Sequence, residues 1–434
     1  MSKLPKRKGI SLGTVTMLTL TGFVLLGCAW LFPKLVSNVD LQLDIQGLAV
    51  SIDTFIHPAE ILDQGVENPL SNNPSSSLQV QFTPQPVLVT KPPNGSFTFT
   101  TAGSININST VQKALSQSNG YRFPILFEAI SGDIRGDLAI ATLENICVPE
   151  DKLTDSNIPI DALTAFAGSG ISTLCLGYEG IFNSGIRGAQ ATQAAVITAG
   201  MVPYGVYTSQ EARNKPTLMD INGVSVALLS YQNSIANTGK RKLSKEELAF
   251  AFAEPTLPVV TADIQSAKSN GAHVIIVSLC WGKSDANTPS QSQRDLAQAI
   301  ADAGADIILG TRSGAVQPVQ ILSATRPNGQ RSQTLCAYSL GNLFSPNLNR
   351  RSSRSGILLH GKVTVDFTDS TVQFDQLTYT PTFTWRGKEG KQTTYRVLAS
   401  NRPAPDFLNS EQRNTMERCQ ALIEEAMKDT PVNK

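Results

Sequence analysis

The sequence predicts an α/β fold, a layered sandwich of sheets and helices, and three observations carry that prediction. Short runs of β-branched and aliphatic residues, clearest at Val274–Leu279, stop abruptly in small and polar ones, as strands buried on both faces do. These runs alternate with segments of helical periodicity closed by glycine, as at Ser290–Ala303 before Gly304. The alternation then gives way to a β-rich end, the pattern of layered sheets whose strands share a common edge. Ligands gather past the carboxyl ends of such strands, which singles out Cys280, Trp281 and Gly282, and the stretch Gly310, Thr311, Arg312, Ser313, Gly314.

The chain opens with Lys3, Lys6, Arg7 and Lys8, followed by the uncharged run Ile10–Phe32. As a helix that run rises about 34 Å, enough to cross the hydrocarbon core. The basic end belongs in the cytoplasm and everything after Lys34 outside, giving a single-pass cell-membrane protein with an extracytoplasmic C-terminal part. A cleaved signal peptide and a lipoprotein, with Leu25-Leu26-Gly27-Cys28 as lipobox, are the alternatives; all three export the rest. The expected organisation is a cytoplasmic tail at 1–9, a transmembrane signal anchor at 10–32, a juxtamembrane spacer and Pro/Ser/Asn-rich linker at 33–95, a folded domain at 96–400 and a helical tail at 401–434.

Within the domain, Phe97–Ala102, Leu138–Leu143 and Ile171–Leu176 read as strands, and Thr110–Ser118, Ile160–Ala167 and Ala189–Ala199 as helices. Thr217–Ile221 and Val224–Tyr231 form a hairpin over Asn222-Gly223, the strongest short hairpin signal. Lys245–Phe252 and Val259–Ser269 are helical, and Ile307–Leu309, Gln333–Ser339 and Gly356–Phe367 are later strands. Val372–Thr380 and Thr393–Ala399 read as a small β unit, and Ser410–Met427 as a closing helix.

Composition excludes some function classes. Lys and Arg total 36 against 35 Asp and Glu, with no basic cluster beyond the N-terminus, so nothing argues for nucleic acid. Beyond Cys28 the cysteines are Cys147, Cys175, Cys280, Cys336 and Cys419, an odd set without C-x-x-C, so neither a disulfide framework nor a zinc ribbon is expected.

Several segments resemble one family. ADIQSAKSNGAHVIIVSLCWG, QRDLAQAIADAGADIILGTRSGAVQPVQIL and AYSLGNLFS are the most specific, with FTFTTAGSI, DLAIATLEN, AGMVPYGV and INGVSVALLSY in support. In order and spacing, Ser96–Ala399 is similar to the CapA-type capsule proteins, associated with poly-γ-glutamate synthesis, whose domain resembles calcineurin-like metallophosphatases. The resemblance implies a layered αββα sandwich of the metallophosphatase-like type, preceded by the transmembrane helix.

It also implies a dinuclear metal site, and here the sequence departs from the family. Where the family has Gly-Asp, this chain has Gly103-Ser104; for Asn-Asn-His it has Tyr178-Glu179-Gly180; for His-Trp-Gly, Cys280-Trp281-Gly282; for Gly-His-His-Pro-His, Gly310-Thr311-Arg312-Ser313-Gly314. Glu144 and Asn342 stand as the family has them. The three histidines, His57, His273 and His360, occupy no ligand position. A two-metal site needs converging imidazoles and carboxylates, and a guanidinium at Arg312 repels cations and attracts anions. The expectation is a pseudoenzyme with no metal and no cofactor, serving as accessory or binding protein in capsule or poly-γ-glutamate synthesis or export, with an anionic surface polymer or the capsule machinery as partner.

The expected ligand-binding residues are Arg312, Trp281, Lys283, Asn342, Thr311 and Glu179. The alternative is a hydrolase or transferase on an anionic polymer that uses Glu144 and Cys280. Each residue also has a structural reading: Cys280 as a buried small hydrophobe, Glu144 as the ion-pair partner of Arg312, Trp281 and Asn342 as scaffold. Arg350, Arg351 and Arg354 add either a positive rim beside Arg312 and Lys283 or a solvated loop.

Overall fold

The computed structural model describes residues 93–433. The expected anchor at 10–32 and almost all of the spacer, with Cys28 and His57, lie outside them. Among the described residues no helix is long and apolar enough to cross a membrane.

In chain order the main strands are β1 (Asn94–Ile105), β2 (Leu138–Leu143), β3 (Thr173–Cys175), β4 (Val202–Tyr204), β5 (Thr217–Ile221), β6 (Val224–Gln232), β7 (Val274–Cys280) and β8 (Ile307–Thr311). They continue with β9 (Val319–Thr325), β10 (Arg331–Ala337), β11 (Asn342–Phe344), β12 (Ser355–Asp366), β13 (Thr371–Glu389) and β14 (Gln392–Ala399). One sheet has eight strands in the order β14-β13-β12-β1-β2-β3-β4, with β11 beside the end of β1; the other has six, β9-β10-β8-β7-β6-β5. The longer helices are α1 (Ile160–Gly168), α2 (Gly185–Thr198), α3 (Leu257–Ser269), α4 (Gln291–Ala303) and α5 (Ser410–Met427).

Strand alternation sorts most of the buried side chains into three large cores, one between the sheets and one on each outer face. Phe97, Phe99, Leu138 and Ile140 of the first sheet meet Val226, Leu228, Val274 and Ile276 of the second in a shared inter-sheet core. The opposite face of the first sheet packs on α1 and α2 through Leu163, Phe166, Ala189 and Val196. The opposite face of the second packs on α3 and α4 through Val260, Ile264, Ala297 and Ile300. The order of layers is therefore helix, sheet, sheet, helix, as expected.

Local signals hold where they are strong. Asn222 and Gly223 both have positive φ, 54° and 80°, the requirement of the two-residue hairpin turn. Ser290 caps α4 with Gln293 in a capping box, and Gly304 ends the helix at φ 123°. Two readings are corrected. The late strands are not a separate β unit, because β13 pairs along β12 and β14 along β13, extending the eight-stranded sheet. The C-terminal helix is not an appendage: Ile423 and Met427 reach the inter-sheet core, and Met416 and Cys419 pack with Phe383 and Trp385. Strands β4, β9 and β11 went unread, the first for its Pro203, the second because it follows Pro318, the third for its three residues.

Candidate functional site

The parallel strands β1, β2 and β3 of one sheet and β6, β7 and β8 of the other bring their carboxyl ends to one edge. In register, Gln232 pairs with Cys280 and Cys280 with Thr311. Facing them from the other sheet are Ser104, Glu144, Tyr178 and Glu179. Asn342 lies beside Ser104.

At this edge Arg312 joins the sheets. Its Nε donates to Glu179 Oε1 at 2.8 Å, and its Nη1 donates to the Gly282 carbonyl. Ser234 Oγ donates to the same carboxylate oxygen at 3.2 Å, and the Glu179 carbonyl accepts from the Ala236 amide at 2.7 Å. Arg312 sits at φ 83°, a left-handed backbone unusual for a residue with a Cβ, so the loop is held in place by what its side chain bonds. The expected pairing of Arg312 with Glu144 is not what forms. Glu179, in the loop after β3, takes the guanidinium instead.

Glu144 is left on the floor. Burial pushes its carboxyl above the ordinary glutamate range, the Glu179 charge adds to this, and hydrogen bonds from Ser104 and Asn106 only partly oppose it. Burial is also the first cause of the raised Tyr178 hydroxyl, with the Glu144 charge second. Cys280 is 4% exposed and its thiol is pushed up to about 12 by burial, then by Glu144 and Glu179, against a smaller opposing pull from Arg312. At neutral pH it is a protonated thiol, a poor nucleophile and a poor ligand.

The other expected residues divide. Trp281 is 1% exposed and packs in the outer core: its Nε1 donates to the Tyr338 carbonyl at 3.0 Å and its ring stacks on Tyr338 at 6.0 Å. It is not brought to the edge with Arg312. Gly310 is the reason it fits, because a Cβ there would lie 1.9 Å from the Tyr338 oxygen and 2.5 Å from Trp281 Nε1. Thr311 is buried, with its hydroxyl 3.5 Å from the Leu279 carbonyl. Asn342 Nδ2 braces two loops, donating to Gly314 O at 3.2 Å and Ser353 O at 3.0 Å. Lys283 is exposed on the loop after Gly282. The arginine run splits: Arg350 pairs with Asp285 beside this edge, whereas Arg351 and Arg354 turn toward β13.

Sequence reasoning missed Gln232, which is 1% exposed with neither amide atom partnered among the described residues. The alternation of β6 carries the signal, since Ser230 already faces Cys175 across the sheets at 3.3 Å and Gln232 follows on the same face.

The dinuclear metal group implied by the resemblance does not fit these residues. Among the described residues no three His, Cys, Asp or Glu converge as a metal site would need. Glu179 is engaged by a guanidinium, Cys280 is held protonated, and the two described histidines lie elsewhere. His360 Nδ1 and Nε2 sit 3.0 and 3.1 Å from the Thr100 and Thr380 hydroxyls, and His273 Nδ1 accepts from the Ser225 amide at 2.9 Å. What remains is cationic: Arg312 retains Nη2, and the exposed Lys283 follows Gly282, whose carbonyl Arg312 bonds.

A family model described as bacterial capsule synthesis protein PGA_cap matches residues 98–347. The chain is 26% identical over 209 residues to the PGA biosynthesis protein CapA of Bacillus subtilis (strain 168), a match covering 43% of this chain and 51% of that protein. It is 25% identical over 277 residues to the capsule biosynthesis protein CapA of Bacillus anthracis, covering 62% and 64%. The chain thus spans between half and two thirds of the length of these curated relatives. Among solved structures it is similar to a calcineurin-like phosphoesterase from Bacillus subtilis at TM-score 0.40 and 12% identity, covering 77% of this chain and 99% of that one. A phosphatase from Mycoplasma pneumoniae gives TM-score 0.40 at 12% identity, covering 66% and 94%.

Proposed function

This chain belongs to the bacterial capsule synthesis protein PGA_cap family, and we propose that it acts in poly-γ-glutamate capsule synthesis or export as a metal-free binding or accessory module. On this reading residues 10–32 anchor it in the cell membrane, the domain works on the extracytoplasmic side, and its partner is the anionic polymer or the capsule machinery. The observation that carries the reading is the Arg312–Glu179 pair at 2.8 Å, which puts a guanidinium at the strand ends where the family pattern has histidines. A guanidinium disfavours cations there and favours carboxylates, the group that poly-γ-glutamate repeats along its length.

Elemental mass spectrometry on the purified full chain tests the metal-free part: no stoichiometric transition metal is expected, and two ions per chain would sink it. Protease treatment of intact cells tests the topology, with digestion of the domain expected and full protection counting against it.

The raised carboxyl of Glu144 favours one second reading, a hydrolase or transferase in which Glu144 donates a proton. Cys280, its proposed companion, is held as a neutral thiol and contributes little to it. Turnover of a γ-glutamyl or phosphoester substrate that vanishes in Glu144→Gln would favour this second reading over the first.

A further inference from the structure

We infer that the domain carries a separate anion site, in which Arg351, Arg354 and Arg386 receive the carboxylate or phosphate group of an acidic ligand. The three arginines line one pocket of about 330 Å³. Arg351 and Arg354 come from the loop before β12, Arg386 from β13, and Asn409, Glu411 and Gln412 from the start of α5. Nothing in the linear sequence joins Arg386 to the other two.

The pocket is built to donate. None of the three arginines makes an ion pair with a carboxylate among the described residues, whereas Arg122, Arg213, Arg312, Arg326, Arg350, Arg396 and Arg402 all do. Glu411 is the single acidic side chain in the lining, so the charges stand at three cations to one anion. The side-chain oxygens of Asn409 and Gln412 are already used, each accepting the other's backbone amide in the capping box at 2.9 and 3.1 Å. What those two amides have left is their NH₂ groups, which only donate. A ligand made of acceptors complements this set, and one made of donors does not.

Two of the guanidiniums are also held ready, and the loop that carries the third is tied down. Arg354 Nε donates to Leu348 O at 2.8 Å and its guanidinium lies 6.0 Å from the Phe383 ring; that of Arg386 lies 5.9 Å from Tyr395. The loop backbone is tied by Ser355 Oγ to Arg351 O at 2.8 Å and by Asn342 Nδ2 to Ser353 O at 3.0 Å. Partial burial lowers the Arg354 pKa. Pre-organised forks of this kind bind oxyanions bidentately.

Carboxylates along an acidic polymer and free phosphate share this chemistry; that the source is the capsule polymer rests on the function proposed above, and the site itself does not. Calorimetric titration of the full chain with a γ-linked glutamate oligomer, and separately with inorganic phosphate, distinguishes them. The wild-type protein is expected to bind the oligomer, and Arg386→Gln to weaken binding about tenfold or more. Arg386 is exposed, so this variant keeps the native circular dichroism, and Arg351→Gln provides a second exposed position. Phosphate binding that depends on Arg386, with no oligomer binding, upholds the site and overturns the polymer as its ligand. Binding of neither probe that depends on Arg386 or Arg351 overturns the site; oligomer binding lost in Arg312→Gln instead would leave the proposed function standing without it.

Discussion

Arg312 Nε lies 2.8 Å from Glu179 Oε1, and this ion pair joins a strand end of the six-stranded sheet to a loop of the eight-stranded one. Both side chains are about one third exposed, 31% and 35%, so solvent screens much of the attraction. A double-mutant cycle of Arg312→Ala and Glu179→Ala in urea is expected to give a coupling of about 1 kcal/mol that shrinks in molar salt. Because Arg312 has φ 83°, Arg312→Gly is expected to be more stable than Arg312→Ala, since glycine loses the pair without the backbone strain. The reverse order would mean that the left-handed backbone is not strained.

Glu144 links stability to pH. Its folded pKa is raised, so the folded protein holds this proton more tightly than the unfolded chain does. The resulting stability is fully present below the unfolded value of about 4 and is lost as pH rises through the raised folded value. Glu144→Gln removes this dependence. Thermal melts are expected to show the variant gaining on the wild type from acidic to neutral pH, and an unchanged difference across that range would mean that the carboxyl is not perturbed.

Cys280 tests the same floor by chemistry. With its pKa pushed up to about 12 and 4% exposure, the thiol resists alkylation in the native state. Iodoacetamide at neutral pH followed by peptide mapping is expected to leave Cys280 unmodified until denaturant is added. Rapid native labelling would restore it as a candidate nucleophile.

Gly310 and Trp281 test the scaffold beneath the edge. A methyl at 310 meets the Tyr338 carbonyl at 1.9 Å, so Gly310→Ala forces the strand or the loop to move. A loss of about 3 kcal/mol or failure to accumulate folded protein is expected. Trp281→Phe removes the donor to Tyr338 O and leaves part of the buried indole's space unfilled, and is expected to cost about 1–3 kcal/mol in urea unfolding.

The layered fold was legible because its strands and helices are written in local periodicity. Val274–Cys280 and Ile307–Thr311 are apolar enough to be buried on either face, and Asn222-Gly223 and the Ser290 capping box punctuate the chain where turns and caps require. Where a strand was only three residues, as at Asn342–Phe344, or interrupted by Pro203, nothing local announced it. The substitutions at Ser104, Glu179, Cys280 and Arg312 were equally plain, since they stand in recognisable motifs.

Partnership was not legible. The sequence by itself determined which residue types arrive at the strand ends: a guanidinium, two carboxylates and a thiol. Only the tertiary structure decided that Arg312 bonds Glu179 rather than Glu144, that Trp281 turns into the outer core, and that Arg351 and Arg354 leave Arg350 to meet Arg386. The physical reason is range. Periodicity and capping act within a few residues, whereas each of these contacts depends on where distant strands end and on which face the pleat turns a side chain.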